Sequence, residues 1–146
     1  MSDSSPSSTT DTHHLILIVD DEPSVRAMVR TALLLKDHYR VIEAANATDA
    51  VALAMNERPH LVLLDVALPD HDGFWVCRQL KGNAETAHIP VIMLTAMGLP
   101  SDREQAVQAG ADGYIVKPFS PRALLEELDQ RLSRKESQPE DGISRT

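Results

Sequence analysis

The chain has 146 residues, 42% of them hydrophobic, which is enough for one core and too little for two ordinary domains. A formal net charge of -8 gives a surface that repels a phosphate backbone, so no direct nucleic-acid binding is expected. A single cysteine, Cys77, excludes an internal disulfide, and the Cys/His spacing matches no zinc site, which points to a reducing, cytoplasmic setting.

Residues 1–13 read as a disordered lead. Met1 to Thr12 is rich in Ser and Thr and lacks both a basic n-region and an apolar h-region, so neither a signal peptide nor a membrane span is predicted. The folded unit is expected over residues 14–135. Its first apolar run, LILIV from Leu15, predicts a strand that ends at Asp20 and Asp21. Pro23 to Lys36 follows as a helix, with Val25, Met28, Val29, Ala32 and Leu33 at helical spacing and Pro23 at the first helical position. RVIEA from Arg40 is mixed in polarity, as an edge strand is, and Asn46 with Asp49 offers a cap for the second helix. LVLLD from Leu61 ends in Asp65, and the helix after Gly73 is expected to bury Phe74, Cys77 and Leu80.

VIMLT from Val91 ends in Thr95, and Ser101 with Glu104 makes a capping box for a fourth helix. GYIVK from Gly113 ends in Lys117, followed by Pro118. Ser120 then caps a fifth helix whose stripe is Leu124, Leu125, Leu128 and Leu132. From Glu136 the polar segment ESQPEDGISRT, residues 136–146, reads as a tail or linker. Five apolar runs alternating with amphipathic stretches predict an α/β fold with a parallel sheet, and three runs are nearly continuous, as strands covered on both faces are.

Ligands of open parallel sheets sit beyond the carboxyl ends of the strands. At those ends stand Asp20, Asp21, Asp65, Thr95 and Lys117. Either aspartate of the first pair could simply cap a helix, Lys117 could belong to a turn, and Thr95 could be a satisfied strand-end hydroxyl. A carboxylate closing an apolar strand is costly without a purpose, and five such groups at one edge point to a shared task. Crowded carboxylates need a cation to stay ionised together, and an all-oxygen set suits Mg²⁺ with retained waters. One carboxylate could then attack a phosphoryl group while Mg²⁺ and Lys117 neutralise its oxygens and Thr95 donates a hydrogen bond.

Together IVDDEPSVR, DVALPDHDG from Asp65 to Gly73, LTA from Leu94 and KPF from Lys117 make the chain similar to the receiver domain of bacterial response regulators, from Leu15 to about Leu132. The resemblance implies a flavodoxin-like (βα)5 doubly wound sheet in the order 2-1-3-4-5. It makes Asp65 the phosphoacceptor, Asp20 and Asp21 with the backbone carbonyl of Ala67 the Mg²⁺ holders, and Lys117 the phosphate partner. Thr95 and Tyr114 become the switch pair, and the Lys117–Pro118 bond is expected in cis. Ala67 and Met97 occupy positions at which the family tunes acyl-phosphate lifetime, Ala67 leaving the phosphoryl group open and Met97 shielding it. The implied partners are a histidine kinase or histidine phosphotransfer protein and a downstream target that reads the face of the fourth helix, fifth strand and fifth helix. Trp75 flanks a buried stripe where a polar residue is expected, so an exposed indole serving a partner or a phosphorylation-dependent homodimer is predicted.

Two rival functions fit parts of the pattern, the second of them on the same sheet order. An Mg²⁺-dependent aspartyl phosphohydrolase would want an acid two residues after the nucleophile, where Ala67 stands. A flavin carrier would want a Ser/Thr/Gly-rich phosphate loop after the first strand, where DDEP places negative charge. A receiver reduced to docking is disfavoured by the full set of site residues. The expectation is a switch with no catalytic turnover beyond its own phosphorylation and dephosphorylation, either stand-alone or cut from a longer regulator or hybrid kinase.

Overall fold

The computed structural model describes residues 13–96 and 100–132. Residues 1–12, 97–99 and 133–146 lie outside the described residues, and with them Met97, the expected lead 1–13 up to its last residue, the end of the expected receiver at 133–135 and the expected tail 136–146. Five strands, β1 His14–Val19, β2 Tyr39–Ala44, β3 Leu61–Asp65, β4 Val91–Thr95 and β5 Gly113–Val116, form one parallel sheet in the order β2-β1-β3-β4-β5. The helices are α1 Pro23–Leu34, α2 Ala47–Glu57, α3 Gly73–Lys81, α4 Pro100–Ala109 and α5 over residues 121–132. Among the described residues no helix is long and apolar enough to cross a membrane.

Successive strand residues point to opposite faces, so each central strand feeds two cores. Leu17, Val19, Val62, Leu64 and Met93 face α2, α3 and α4. Ile16, Ile18, Leu63, Ile92 and Leu94 face α1 and α5. Every residue of β3 and β4 is buried, which is why those runs are uninterrupted in the sequence. β2 lies at an edge, as its mixed composition implied.

Most helix starts match their capping residues. Asn46 accepts from the Asp49 amide at 2.8 Å, and Ser120 Oγ accepts from the Ala123 amide at 3.0 Å. The fourth helix differs from expectation. It runs from Pro100, so Ser101 sits inside the first turn and does not cap it; the fixed φ of proline suits that start. α1 ends at Leu34, two residues short of the predicted Lys36, and leaves Leu34 and Leu35 exposed.

Leu63 packs in the middle strand with no exposure. Leu63→Ala should lower unfolding free energy in urea by about 2–5 kcal/mol, through lost transfer energy and a residual cavity. Leu35→Ser, at a site 77% exposed, should stay within about 0.5 kcal/mol of the parent.

Candidate functional site

In the order β2-β1-β3-β4 the chain leaves β1 toward β2 and β3 toward β4, in opposite directions, and the crevice over the carboxyl ends of β1 and β3 is where the site forms. Asp20 follows β1 and is fully buried. Its amide donates to Ala44 O at 3.1 Å, and its carbonyl accepts from Arg26 Nη1 at 2.7 Å. Asp20 does not cap α1. Glu22 holds the cap position without a side-chain bond, and Asp20 Oδ1 accepts from the Glu22 amide at 2.9 Å. Asp65 ends β3 at 4% exposure, its amide strand in register with Leu94 of β4. Asp21 is exposed beside them. One oxygen from each of Asp20, Asp21 and Asp65 lies within 4.8 Å of the others.

Lys117 follows β5, its amide donating to Thr95 O at 2.7 Å, and its bond to Pro118 is cis as expected. Its Nζ stands 2.8 Å from Asp20 Oδ2, 3.4 Å from Asp65 Oδ1 and 3.6 Å from Glu22 Oε1. The contact to Asp20 is an ion pair by distance but poorly directed for a hydrogen bond, and no donor among the described residues meets Oδ2 squarely. Burial, and then the charge of Asp20, push the Asp65 carboxyl up to about 6; Lys117 and the Ala67 amide pull the other way without cancelling them. Burial pulls the Lys117 ammonium down, but Asp20 and Asp65 outweigh it and its affinity for the proton rises. Asp20, Glu22 and Asp65 thus share one ammonium with Asp21 close by, and the shortfall of positive charge, the half-satisfied Asp20 oxygen and the all-oxygen set of Asp20, Asp21 and Asp65 fit a hard divalent cation.

The loop from β3 to α3 is fixed at both ends. The Ala67 amide turns back to Asp65 Oδ1 at 3.3 Å, and the Gly73 amide donates to Val66 O at 2.8 Å. A Cβ on Gly73 would stand 2.1 Å from Asp65 O, so only glycine fits there. In between, Asp70 accepts from the amides of Ala47 and Thr48 at 2.8 and 2.9 Å and from the Thr48 hydroxyl at 2.7 Å, tying the loop to the start of α2. The Ala47 amide leads these contacts in holding the Asp70 carboxyl well below the usual range. In the sequence Gly73 stands only as a motif end and helix start, and Asp70 has no role of its own there. Their partners are 23 and 22 residues away for Asp70, and short loop motifs carry no signal for such pairs.

Thr95, 3% exposed at the end of β4, donates its hydroxyl to Asp102 Oδ2 of α4 at 3.2 Å. Tyr114 is half-buried, with the Arg103 guanidinium 5.0 Å from its ring centre. Trp75 corrects an expectation. It is half-buried and stacked under His71, ring centres 3.8 Å apart and planes 11° off parallel, because the loop that precedes α3 folds over it. Beside Lys117 a cavity of about 450 Å³ opens, lined by Glu22, Ser24, Val25, Met28, Ala96, Pro118 and Phe119.

With this geometry in hand, residues 16–129 match the family described as the response regulator receiver domain. The chain belongs to that family. It is similar to the phosphate regulon transcriptional regulatory protein PhoB of Pseudomonas aeruginosa, at 44% identity over 82% of this chain and 52% of that protein. It is also similar to the probable transcriptional regulator ycf27 of Cyanophora paradoxa, at 43% over 84% of this chain and 49% of that protein. The receiver thus spans about half the length of the curated relatives it matches. Among solved structures, a CheY-like receiver domain protein from Methanospirillum hungatei superposes with a TM-score of 0.80 at 32% identity, covering 86% of this chain and 98% of the other. The beryllofluoride-activated DrrB receiver domain gives 0.74 at 33%, over 84% and 99%. The chain is therefore a receiver of the kind used in two-component signalling, a switch domain.

The raised Asp65 pKa has a defined cost. Between 3.8, the ordinary value, and about 6 the folded receiver binds more protons than the unfolded chain, so its stability falls as pH rises through that window. Asp65→Asn removes the penalty. Without divalent metal it should raise unfolding free energy by about 1–2 kcal/mol above the window, the full shift being discounted for water on the Asp21 side. Below the window the gain should vanish; urea unfolding of both proteins across the range measures it.

Proposed function

We propose that this receiver accepts a phosphoryl group on Asp65 from a histidine kinase or histidine phosphotransfer protein and that Mg²⁺ is required. Asp20, Asp21, Asp65 and the backbone carbonyl of Ala67 would hold the ion. Bound there, Mg²⁺ would neutralise phosphoryl oxygens as the donor bond loosens. The observation that carries this reading is the approach of three carboxylates to within 4.8 Å with Lys117 Nζ 3.4 Å from Asp65.

An Asp65 oxygen forms the new P–O bond as the P–N bond of the donor phosphohistidine breaks. The imidazole departs with the electron pair, and a proton carried on its other ring nitrogen lets it leave as the neutral base. Lys117 stays protonated beside Asp20 and Asp65 and offers its charge to the phosphoryl oxygens, which makes it an electrostatic partner and not a base. Ala67 carries no acid and cannot protonate a leaving group, which favours a held acyl phosphate over a phosphohydrolase. The cavity of about 450 Å³ beside Lys117 provides an approach for the donor's imidazole.

Thr95 then turns toward the phosphoryl group, Tyr114 moves inward, and the face of α4, β5 and α5 changes for a downstream protein or a second copy of the chain. The curated relatives are named as transcriptional regulators, and we assign transcription as the process controlled, without direct nucleic-acid contact by this acidic unit. A cytoplasmic setting suits all of these partners. If Trp75 serves a contact, it does so jointly with His71, since the two rings form one stack. Residues 14–135 would be the working receiver, with residues 1–13 and 136–146 outside it.

Intact mass after incubation with acetyl phosphate and Mg²⁺ tests the reading. The parent chain should gain one phosphoryl increment that Asp65→Asn lacks and that chelation of Mg²⁺ prevents. A parent spectrum without the increment, or an equal one in Asp65→Asn, overturns it.

A further inference from the structure

α4 is the helix with the least apolar hold on the sheet. It buries only Ala106 and Ala109, whereas α3 buries Phe74, Val76, Cys77 and Leu80. Two alanines remove little area from water, so directional contacts must contribute much of what positions this helix. Its C-terminal end has one, the Cys77 thiol donating to Ala109 O at 3.4 Å. Near its N-terminal end the contacts come from two consecutive residues. Asp102 accepts from the Thr95 hydroxyl at 3.2 Å, while Arg103 lies 5.0 Å from the centre of the Tyr114 ring with Nε 3.4 Å from the phenol oxygen.

The sheet explains why one helix reaches both targets. Tyr114 on β5 is in register with Met93 on β4, two residues before Thr95. Residues two apart share a face, and Met93 and Tyr114 both belong to the core under α2, α3 and α4. Thr95 and Tyr114 therefore lie in the same layer beneath α4. Neighbouring helix residues diverge by about 100°, which lets Asp102 reach β4 while Arg103 reaches β5.

We propose that Asp102 and Arg103 form a two-pronged latch by which α4 holds Thr95 and Tyr114 in the unphosphorylated arrangement. This rests on the reading of Thr95 and Tyr114 as the moving pair. The Thr95 hydroxyl cannot serve Asp102 and a phosphoryl group in another direction at once, so phosphorylation of Asp65 has to break the first prong. Inward motion of Tyr114 takes the ring away from Arg103 and breaks the second. Free energy held in these contacts opposes activation, and by linkage their removal must tighten binding of a phosphoryl mimic by the same factor. Asp102 and Arg103 are thus positioning residues that set how readily the switch turns on, while touching neither Mg²⁺ nor phosphate.

Titration of the full chain with beryllium trifluoride and Mg²⁺, followed by fluorine NMR, tests the latch. Asp102→Ala should bind the mimic about threefold to tenfold more tightly, the range expected for one partly buried hydrogen bond. Arg103→Ala should gain about twofold to fivefold, as for an exposed cation on an aromatic ring. Asp102→Asn retains an acceptor and Arg103→Lys a cation, so both should return toward the parent affinity. Ligand-free thermal unfolding of the alanine variants should fall while affinity rises, and that opposition separates a latch from a plain structural contact. Unchanged or weaker binding in both alanine variants, with the parent binding normally, overturns the latch alone. A parent chain that binds no beryllium trifluoride overturns the phosphoacceptor reading beneath it.

Discussion

Two buried carboxylates and an exposed third share one ammonium, and the local architecture is arranged around that imbalance. Asp20 and Asp65 close strands that are otherwise apolar, so water cannot relieve their repulsion fully, and Lys117 reaches both from a third strand. The result is an edge held short of electrostatic balance. Burial raises the proton affinity of Asp65 although a lysine lies beside it, which marks desolvation and Asp20 as the stronger effects. Carboxylates that are costly to hold together without a cation gain most from one, which is the physical reason a cluster of this kind suits a hard divalent ion.

Much of this was readable in the chain. Uninterrupted apolar runs identified the inner strands because burial on two faces leaves no polar position, and RVIEA betrayed an edge for the converse reason. The residues after those runs had to meet at one sheet end once the strands were parallel, which located Asp20, Asp21, Asp65 and Lys117 together. Side-chain choices in loops were not readable. Asp70 caps a helix 23 residues upstream of itself, and His71 covers Trp75, because the path of the β3–α3 loop decides both. Thr95 was recognised by its place, whereas its bond to Asp102 depends on how α4 lies across the sheet. Ser101 looked like a cap because its spacing to Glu104 is right, but Pro100 already begins the helix.

The two sides of the sheet differ in how firmly they are packed near the site. α1 and α5 press leucines and valines onto one face, while α4 rests on alanines across the other. Small buried residues leave an element free to be repositioned at low cost, and local stability differences of this kind are where conformational change is concentrated. Asp65 ends a fully buried strand, whereas α4 is seated on two alanines.

Gly73 carries a consequence for how such a chain can vary. Its amide holds Val66 O, and its missing side chain lets the backbone pass against Asp65 O. The stretch from Asp65 to Gly73 is thereby a fixed-length clasp, closed at both ends and pinned in the middle by Asp70. An insertion or deletion within it would open the clasp or drag the Asp65 carboxylate with it. The length of this loop is therefore constrained by the contacts at its two ends and is not slack between elements.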